Sequence, residues 1–186
     1  AKQQSLGIWE QHLPVVPREC CVGILVAGVL GRVSAVRLRQ NGFTVKLWSR
    51  SKKSFAGIGT FSGEDGLKRM LPQCNILVVL LPLTPSTSDL LCEEKLLLLP
   101  KGASVINFAR GEILPEEGVL SLLSKEHISH AVLDVFCTEP LPQDSKLWRH
   151  PNVTVLPHVS AQTHPQTSSV IVAKNIVKYY YQGVIP

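Results

Sequence analysis

"GILVAGVLG", residues 23–31, is the stretch on which the reading of the chain turns. An apolar run that ends in Gly28 and Gly31 and passes directly into an amphipathic stretch has the pattern of a strand, a tight turn and a helix. The N-terminus of such a helix cradles a dinucleotide phosphate. In the full G-x-G-x-x-G spacing a further glycine would stand at position 26, where this sequence has Val26. The middle glycine of the turn admits the backbone to the pyrophosphate, and the last lets helix and strand pack closely. The first allows a tight exit from the strand, a place where a β-branched residue is stiff. If Val26 keeps β-region backbone, its methyls are expected to crowd the adenosine side of the pyrophosphate. If it is forced to positive φ, the cost is about 1–3 kcal/mol. Both outcomes weaken cofactor affinity more than they threaten the fold.

Working outward, short β-branched runs alternate with amphipathic segments, the order of βαβ units feeding a parallel sheet. Strands are expected at 21–26, 44–48, 75–80, 103–108, 131–135 and 153–156, and helices at 29–41, 63–71, 116–125 and 165–181. Leu30, Val33 and Leu38 share one face of the first helix, and Gly42 is placed to stop it. Pro115 with Glu116 and Glu117 opens the third. Val170, Ala173 and Val177 share a face of the last. Six strands with interleaved helices give an α/β fold, a Rossmann-type doubly wound parallel sheet forming a single domain over 21–186. Residues 1–20 read as the end of a helix and a proline-rich linker.

Composition narrows the function classes. The 186 residues are 45% hydrophobic and 18% charged with a net charge of +5, an ordinary globular balance. The 19 Lys and Arg are scattered apart from Arg50, Lys52 and Lys53, so no nucleic-acid patch is expected. Five cysteines form no CxxC pair and no metal-ligand spacing, which suits reduced thiols, a cytoplasmic protein and no metal. No apolar run is long enough for a membrane span, and no signal peptide is visible.

Four further stretches carry chemistry. "LWSRSKKS" follows the second strand, where an NAD site usually has an acidic residue for the ribose 2′-hydroxyl. Ser49, Arg50, Ser51 and Lys53 offer donors suited to a 2′-phosphate, which favours NADP(H) with NAD(H) as the alternative. A solvated loop is the plainer reading. "NFARGE", "LDVFCTEP" and "LPHVSAQT" each lie at the carboxyl end of an expected strand, the edge where parallel sheets bind ligands. Arg110, Asp134, Glu139 and His158 would therefore meet in one crevice. Trp148 is expected to pack under the loop before the last strand, and Tyr179, Tyr180 and Tyr181 to be partial core or an oligomer contact.

Together with "LLPLTPST", "LPKGASVINFARGE" and "LWRHPNVTVLPHVSA", these stretches resemble the cofactor-binding domain of the D-isomer-specific 2-hydroxyacid dehydrogenases. Within that family the chain looks most like the bacterial glyoxylate/hydroxypyruvate reductase A subgroup. The resemblance implies that Arg110, Glu139 and His158 are the catalytic residues. It also implies a cofactor site from Ala27, Gly28, Val29, Leu30 and Gly31 at the turn, Ser49, Arg50, Ser51 and Lys53 beyond the second strand, and Leu81, Pro82, Leu83 and Thr84 along the cofactor. Ala109, Asp134 and His158 complete that site, with Asp134 near the nicotinamide carboxamide or, alternatively, a plain ion-pair or capping residue. The chemistry suits the residue types. An arginine fork holds the carboxylate of a small 2-keto acid, an imidazolium protonates the developing alkoxide, and a glutamate beside it fixes the ring.

The resemblance implies two domains, of which the substrate domain is absent from this chain. By itself the chain is expected to bind NADP(H) weakly or moderately and to reduce glyoxylate negligibly. A homodimer through the cofactor domain is expected by analogy. The competing readings are a non-catalytic dinucleotide-binding module or regulatory relative, and another member such as a phosphoglycerate- or formate-type dehydrogenase. The complete Arg110, Glu139 and His158 set weighs against the first, and the basic "SRSKK" against NAD-linked members of the second.

Overall fold

The computed structural model describes residues 2–9, 11, 16–26 and 28–184. After a short helix α1 (Lys2–Leu6), the chain builds β1 (Cys21–Leu25), α2 (Val29–Gln40), β2 (Thr44–Ser49), β3 (Gly59–Ser62), α3 (Gly63–Met70) and β4 (Ile76–Val79). It continues through α4 (Glu93–Leu96), β5 (Ala103–Asn107), α5 (Glu116–Ser124), β6 (Ile128–Leu133), β7 (Val153–Val155) and α6 (Pro165–Gln182). All pairings are parallel, in the order β3-β2-β1-β4-β5-β6-β7. The order reverses between β1 and β4, and in such sheets a crevice opens beyond the carboxyl ends of the two strands at that point.

The doubly wound sheet is as expected, with seven strands rather than six. The additional one, β3, is "GTFS", with a single large apolar side chain; it becomes a strand by pairing along the edge of β2, from Lys46↔Gly59 to Ser49↔Ser62. Edge strands need little apolar content because one side stays solvated. The central strands read clearly for the opposite reason: every residue of β1 is buried, as a strand covered on both faces must be.

Two apolar layers flank the sheet. One gathers Leu25, Leu67, Met70, Leu71, Leu77, Leu96, Val105, Leu122 and Leu133 with their neighbours. The other is thinner, Val22, Ile24, Ala35, Val45 and Leu47, and lies on the side of α2. Here the expected helix face is corrected. The buried residues of α2 are Gly31 and Ala35, with Leu38 half-buried, whereas Leu30 and Val33 are 67% and 55% exposed. Small residues at i and i+4 let the helix axis approach the sheet, and the larger apolar residues point away. The stop is as expected: Asn41 caps α2 and Gly42 follows at φ +88°.

The last helix forms where it is expected, as α6. Val170, Ala173 and Val177 share a face, but no residue of α6 is buried. Tyr179, Tyr180 and Tyr181 are exposed rather than partial core, with Tyr179 and Tyr180 meeting edge to face at 5.8 Å. Periodicity marks an apolar face but does not say what covers it.

Candidate functional site

The residues expected to carry chemistry do converge at the carboxyl edge of the sheet. A cavity of about 830 Å³ is walled by Gly28, Val29 and Leu30 from the first turn, Leu81, Pro82 and Leu83 after β4, Ala109 and Arg110 after β5, and Asp134 and His158 after β6 and β7. A second cavity of about 190 Å³ shares Val26, Gly28, Leu81 and Pro82 with it and adds Ser49, Arg50, Ser51, Lys53, Thr84 and Thr87. The shared walls make one continuous groove, and every expected cofactor residue lines it except two. Gly31 sits beneath the turn, and Ala27 falls outside the described residues.

Gly28 is the N-cap of α2 in extended conformation, and no acidic residue stands in the helix's first turn, so its positive end faces the groove uncompensated. Gly31 is required by contact: a Cβ there would lie 1.8 Å from the Val26 carbonyl oxygen. Val26 itself has φ +154°, a region that favours glycine. A β-branched residue is poorly suited to that conformation.

Beyond β2, Ser49 is 8% exposed and its hydroxyl donates to Ser51 O at 2.8 Å. Ser49 therefore shapes the loop, and the cationic donors on that wall are Arg50 and Lys53. Opposite, the Thr87 hydroxyl donates to Pro82 O at 2.8 Å and accepts the Thr84 N–H at 2.8 Å, fixing the segment 82–84. Thr87 is 2% exposed, and sequence reasoning missed it.

Two buried polar side chains at strand ends set the catalytic candidates. Asn107, the last residue of β5, accepts the Ala109 N–H at 3.0 Å and donates Nδ2–H to Arg110 O at 2.9 Å. Nothing in the sequence separated this asparagine from the motif around it. Asp134, just past β6, accepts the backbone N–H groups of Val159 and Ser160 at 2.8 and 3.1 Å, and its own carbonyl accepts that of His158. His158 is thereby held at φ +52°, a left-handed conformation uncommon for a residue with a side chain. The capping alternative for Asp134 is what its hydrogen bonds show, on a residue that also lines the groove.

Glu139 Oε2 lies 2.8 Å from His158 Nδ1, while its other oxygen accepts the Phe136 N–H at 3.0 Å. The hydrogen bond from His158 holds the Glu139 carboxyl below the ordinary glutamate range. Partial burial opposes this, and the Phe136 N–H and the charges of His158 and Arg110 reinforce it. Arg110 donates one guanidinium N–H to Ala109 O.

Trp148 departs from expectation. Its indole N–H does donate to the neighbouring loop, at Pro142 O, but the ring is half exposed. It walls an apolar cavity of about 480 Å³ that also touches Glu139 and His158. Among the described residues no group of three or more His, Cys, Asp or Glu is placed to hold a metal ion, and no helix is long and apolar enough to cross a membrane.

Comparison with known proteins matches residues 1–160 to the family described as D-isomer specific 2-hydroxyacid dehydrogenase, NAD binding domain. Among solved structures, the chain is similar to a D-isomer specific 2-hydroxyacid dehydrogenase from Xanthobacter autotrophicus Py2 in complex with NADPH. The TM-score is 0.93 at 40% identity, over 96% of this chain and 74% of that one. An NADPH-dependent glyoxylate/hydroxypyruvate reductase from Sinorhizobium meliloti, in complex with NADP and sulfate, gives 0.91 at 33% identity over 96% and 58%. Phosphoglycerate dehydrogenase from Lactobacillus plantarum gives 0.80 at 25% over 100% and 61%. The chain thus spans 58% to 74% of the length of these relatives.

Proposed function

The chain belongs to the D-isomer specific 2-hydroxyacid dehydrogenases, as their NAD-binding domain, and from that premise we propose that it serves the NADP(H)-dependent reduction of a small 2-keto acid of the glyoxylate or hydroxypyruvate type. The observation that carries this is the convergence of Arg110 and the His158–Glu139 pair on the groove that begins at the phosphate turn.

The residues fit the cofactor. Gly28 leaves its wall open, the unneutralised N-terminus of α2 would receive the pyrophosphate, and Arg50, Ser51 and Lys53 would receive a 2′-phosphate. Leu81 to Thr84, Ala109 and Asp134 would line the rest. The bound nicotinamide supplies a hydride. Arg110 would hold the substrate carboxylate through its planar fork and polarise the adjacent carbonyl. His158 would give its Nε2 proton to the substrate oxygen as charge develops there, while Glu139 on Nδ1 fixes the ring and balances its charge. Preference for NADP(H) is supported by the two cations and by the NADPH-bound and NADP-bound relatives at 40% and 33% identity.

The same reading gives residues 21–186 to the cofactor domain and residues 1–20 to a connection toward a separate substrate domain. It includes a homodimer, supported by the exposed Ile171, Ile176 and Tyr180 of α6, and a cytoplasmic location, supported by five free thiols. The test has two stages. Fluorescence titration of this chain should show NADPH bound more tightly than NADH, and full-length protein should consume NADPH when glyoxylate or hydroxypyruvate is added. His158→Gln should abolish turnover in protein that still binds NADPH. Tight NADPH binding without turnover of any 2-keto acid by the full-length protein would favour a non-catalytic module instead.

A further inference from the structure

At the amino ends of β1 and β4, the end remote from the groove, two cysteines lie in one buried apolar layer. Cys21 opens β1, and Cys74 ends the 3-10 turn Leu71–Gln73 that leads into β4. The backbones are locked there, Cys21 N–H donating to Asn75 Oδ1 and Asn75 N–H to Cys21 O, each at 2.9 Å. The Cys74 S–H donates to Met70 O at 3.3 Å, and Cys21 and Cys74 lie in the same buried apolar cluster. Gly23, on the same face of β1 as Cys21, leaves the room: a Cβ on it would lie 2.4 Å from Cys74 Sγ. We propose that Cys21 and Cys74 form a dithiol modification site that hydroperoxides oxidise to an intrachain disulfide.

The environment divides the two roles. The hydrogen bond from Cys74 brings the Cys21 thiol down to about 7 against the effect of burial, with the Lys46 ammonium helping. The same contact and deeper burial push Cys74 up, so it keeps its proton. Cys21 is the attacking thiolate and Cys74 the resolving thiol. Attack by the Cys21 sulfur on hydrogen peroxide forms an S–O bond and breaks O–O, and the departing hydroxide takes a proton to become water. Attack by the Cys74 sulfur on that sulfenic acid forms S–S and breaks S–O, and the Cys74 proton leaves with hydroxide as a second water. The two thiols lose two electrons and the peroxide gains them.

Exposure alone would select a different residue. Cys137 is the exposed cysteine, yet burial of its sulfur and the surrounding Glu116, Glu112, Glu117 and Asp89 push it up to about 11, where little thiolate exists near neutral pH. The chain treated with a small excess of hydrogen peroxide near neutral pH should lose two of its five titratable thiols and the mass of two hydrogens. Peptide mapping should join Cys21 to Cys74, and dithiothreitol should restore both. Cys20→Ser should retain the link, and Cys74→Ser should leave Cys21 as a sulfenic acid trapped by dimedone. Oxidation of Cys137 with Cys21 and Cys74 still reduced would overturn the proposal, as would a link through Cys20. Mapping of the wild-type chain decides the matter if Cys74→Ser does not fold.

Discussion

Val26 concentrates the tension between sequence and function at a single residue. Its φ of +154° belongs to glycine's territory, and its carbonyl rests against Gly31, so the turn cannot relax by moving toward the helix. Val26→Gly should relieve strain of about 1–3 kcal/mol, against about 0.4–1 kcal/mol lost through a freer unfolded chain. It also removes a methyl-bearing wall from the groove. NADPH should therefore bind several-fold more tightly, with stability unchanged or raised by up to about 2 kcal/mol; equal affinity in a titration of both forms would show that the valine is tolerated at no cost. Glu139 makes a second prediction. Its folded-state carboxyl titrates lower than in the unfolded chain, so as pH falls the unfolded state takes up the proton first. The stability it contributes is present above the unfolded glutamate value and is lost as pH drops through the lowered folded one. With its side chain 37% exposed, solvent screening limits the difference to under about 1 kcal/mol. Urea unfolding of the wild type and Glu139→Gln should differ near pH 6 and converge in acid; a gap that widens toward acid would reverse the assignment.

Among the elements, α2 separates what periodicity reveals from what contact decides. Its apolar residues Val29, Leu30, Val33 and Val36 are all exposed, and the face against β1 and β2 is made by Gly31 and Ala35. Ala35→Leu should overpack a layer with no room and cost about 1–3 kcal/mol. Val33→Ser, on a residue 55% exposed, should change stability by less than about 0.5 kcal/mol. Thermal unfolding of the two variants checks both, and the reverse ranking would restore the face expected from spacing. The same contrast explains what could be read in the sequence. β1 and β4 announce themselves through unbroken apolar runs, and Arg110, Glu139 and His158 through residue types that share a strand-end position. β3 could not be seen because pairing with β2, not its own composition, makes it a strand. Asn107 and Thr87 could not be seen because their roles are hydrogen bonds to backbone two to five residues away, which leave no spacing signature.

For the molecule as a whole, the net charge of +5 is too dispersed to steer an anion by itself, so cofactor discrimination must come from short-range pairs at the groove. Arg50 and Lys53 lie on an exposed loop at its mouth, where attraction for a 2′-phosphate is open to screening by salt. The Debye length falls from about 30 Å at 0.01 M to about 3 Å at 1 M. Pyrophosphate contacts at the start of α2 would be common to both dinucleotides, so salt should weaken them alike. Contacts from Arg50 and Lys53 to a 2′-phosphate would serve NADPH only. The ratio of NADPH to NADH affinity should therefore fall steadily with ionic strength, and in Arg50→Ala/Lys53→Ala it should be near one at every salt concentration. Thermal unfolding provides the measurement, because a ligand that binds only the folded state stabilises it by about 2.7 kcal/mol at a concentration of 100 Kd. A ratio unmoved by salt would mean that these two cations do not read the 2′-phosphate, and that any NADPH preference arises from the buried walls around Ser49 and Thr87.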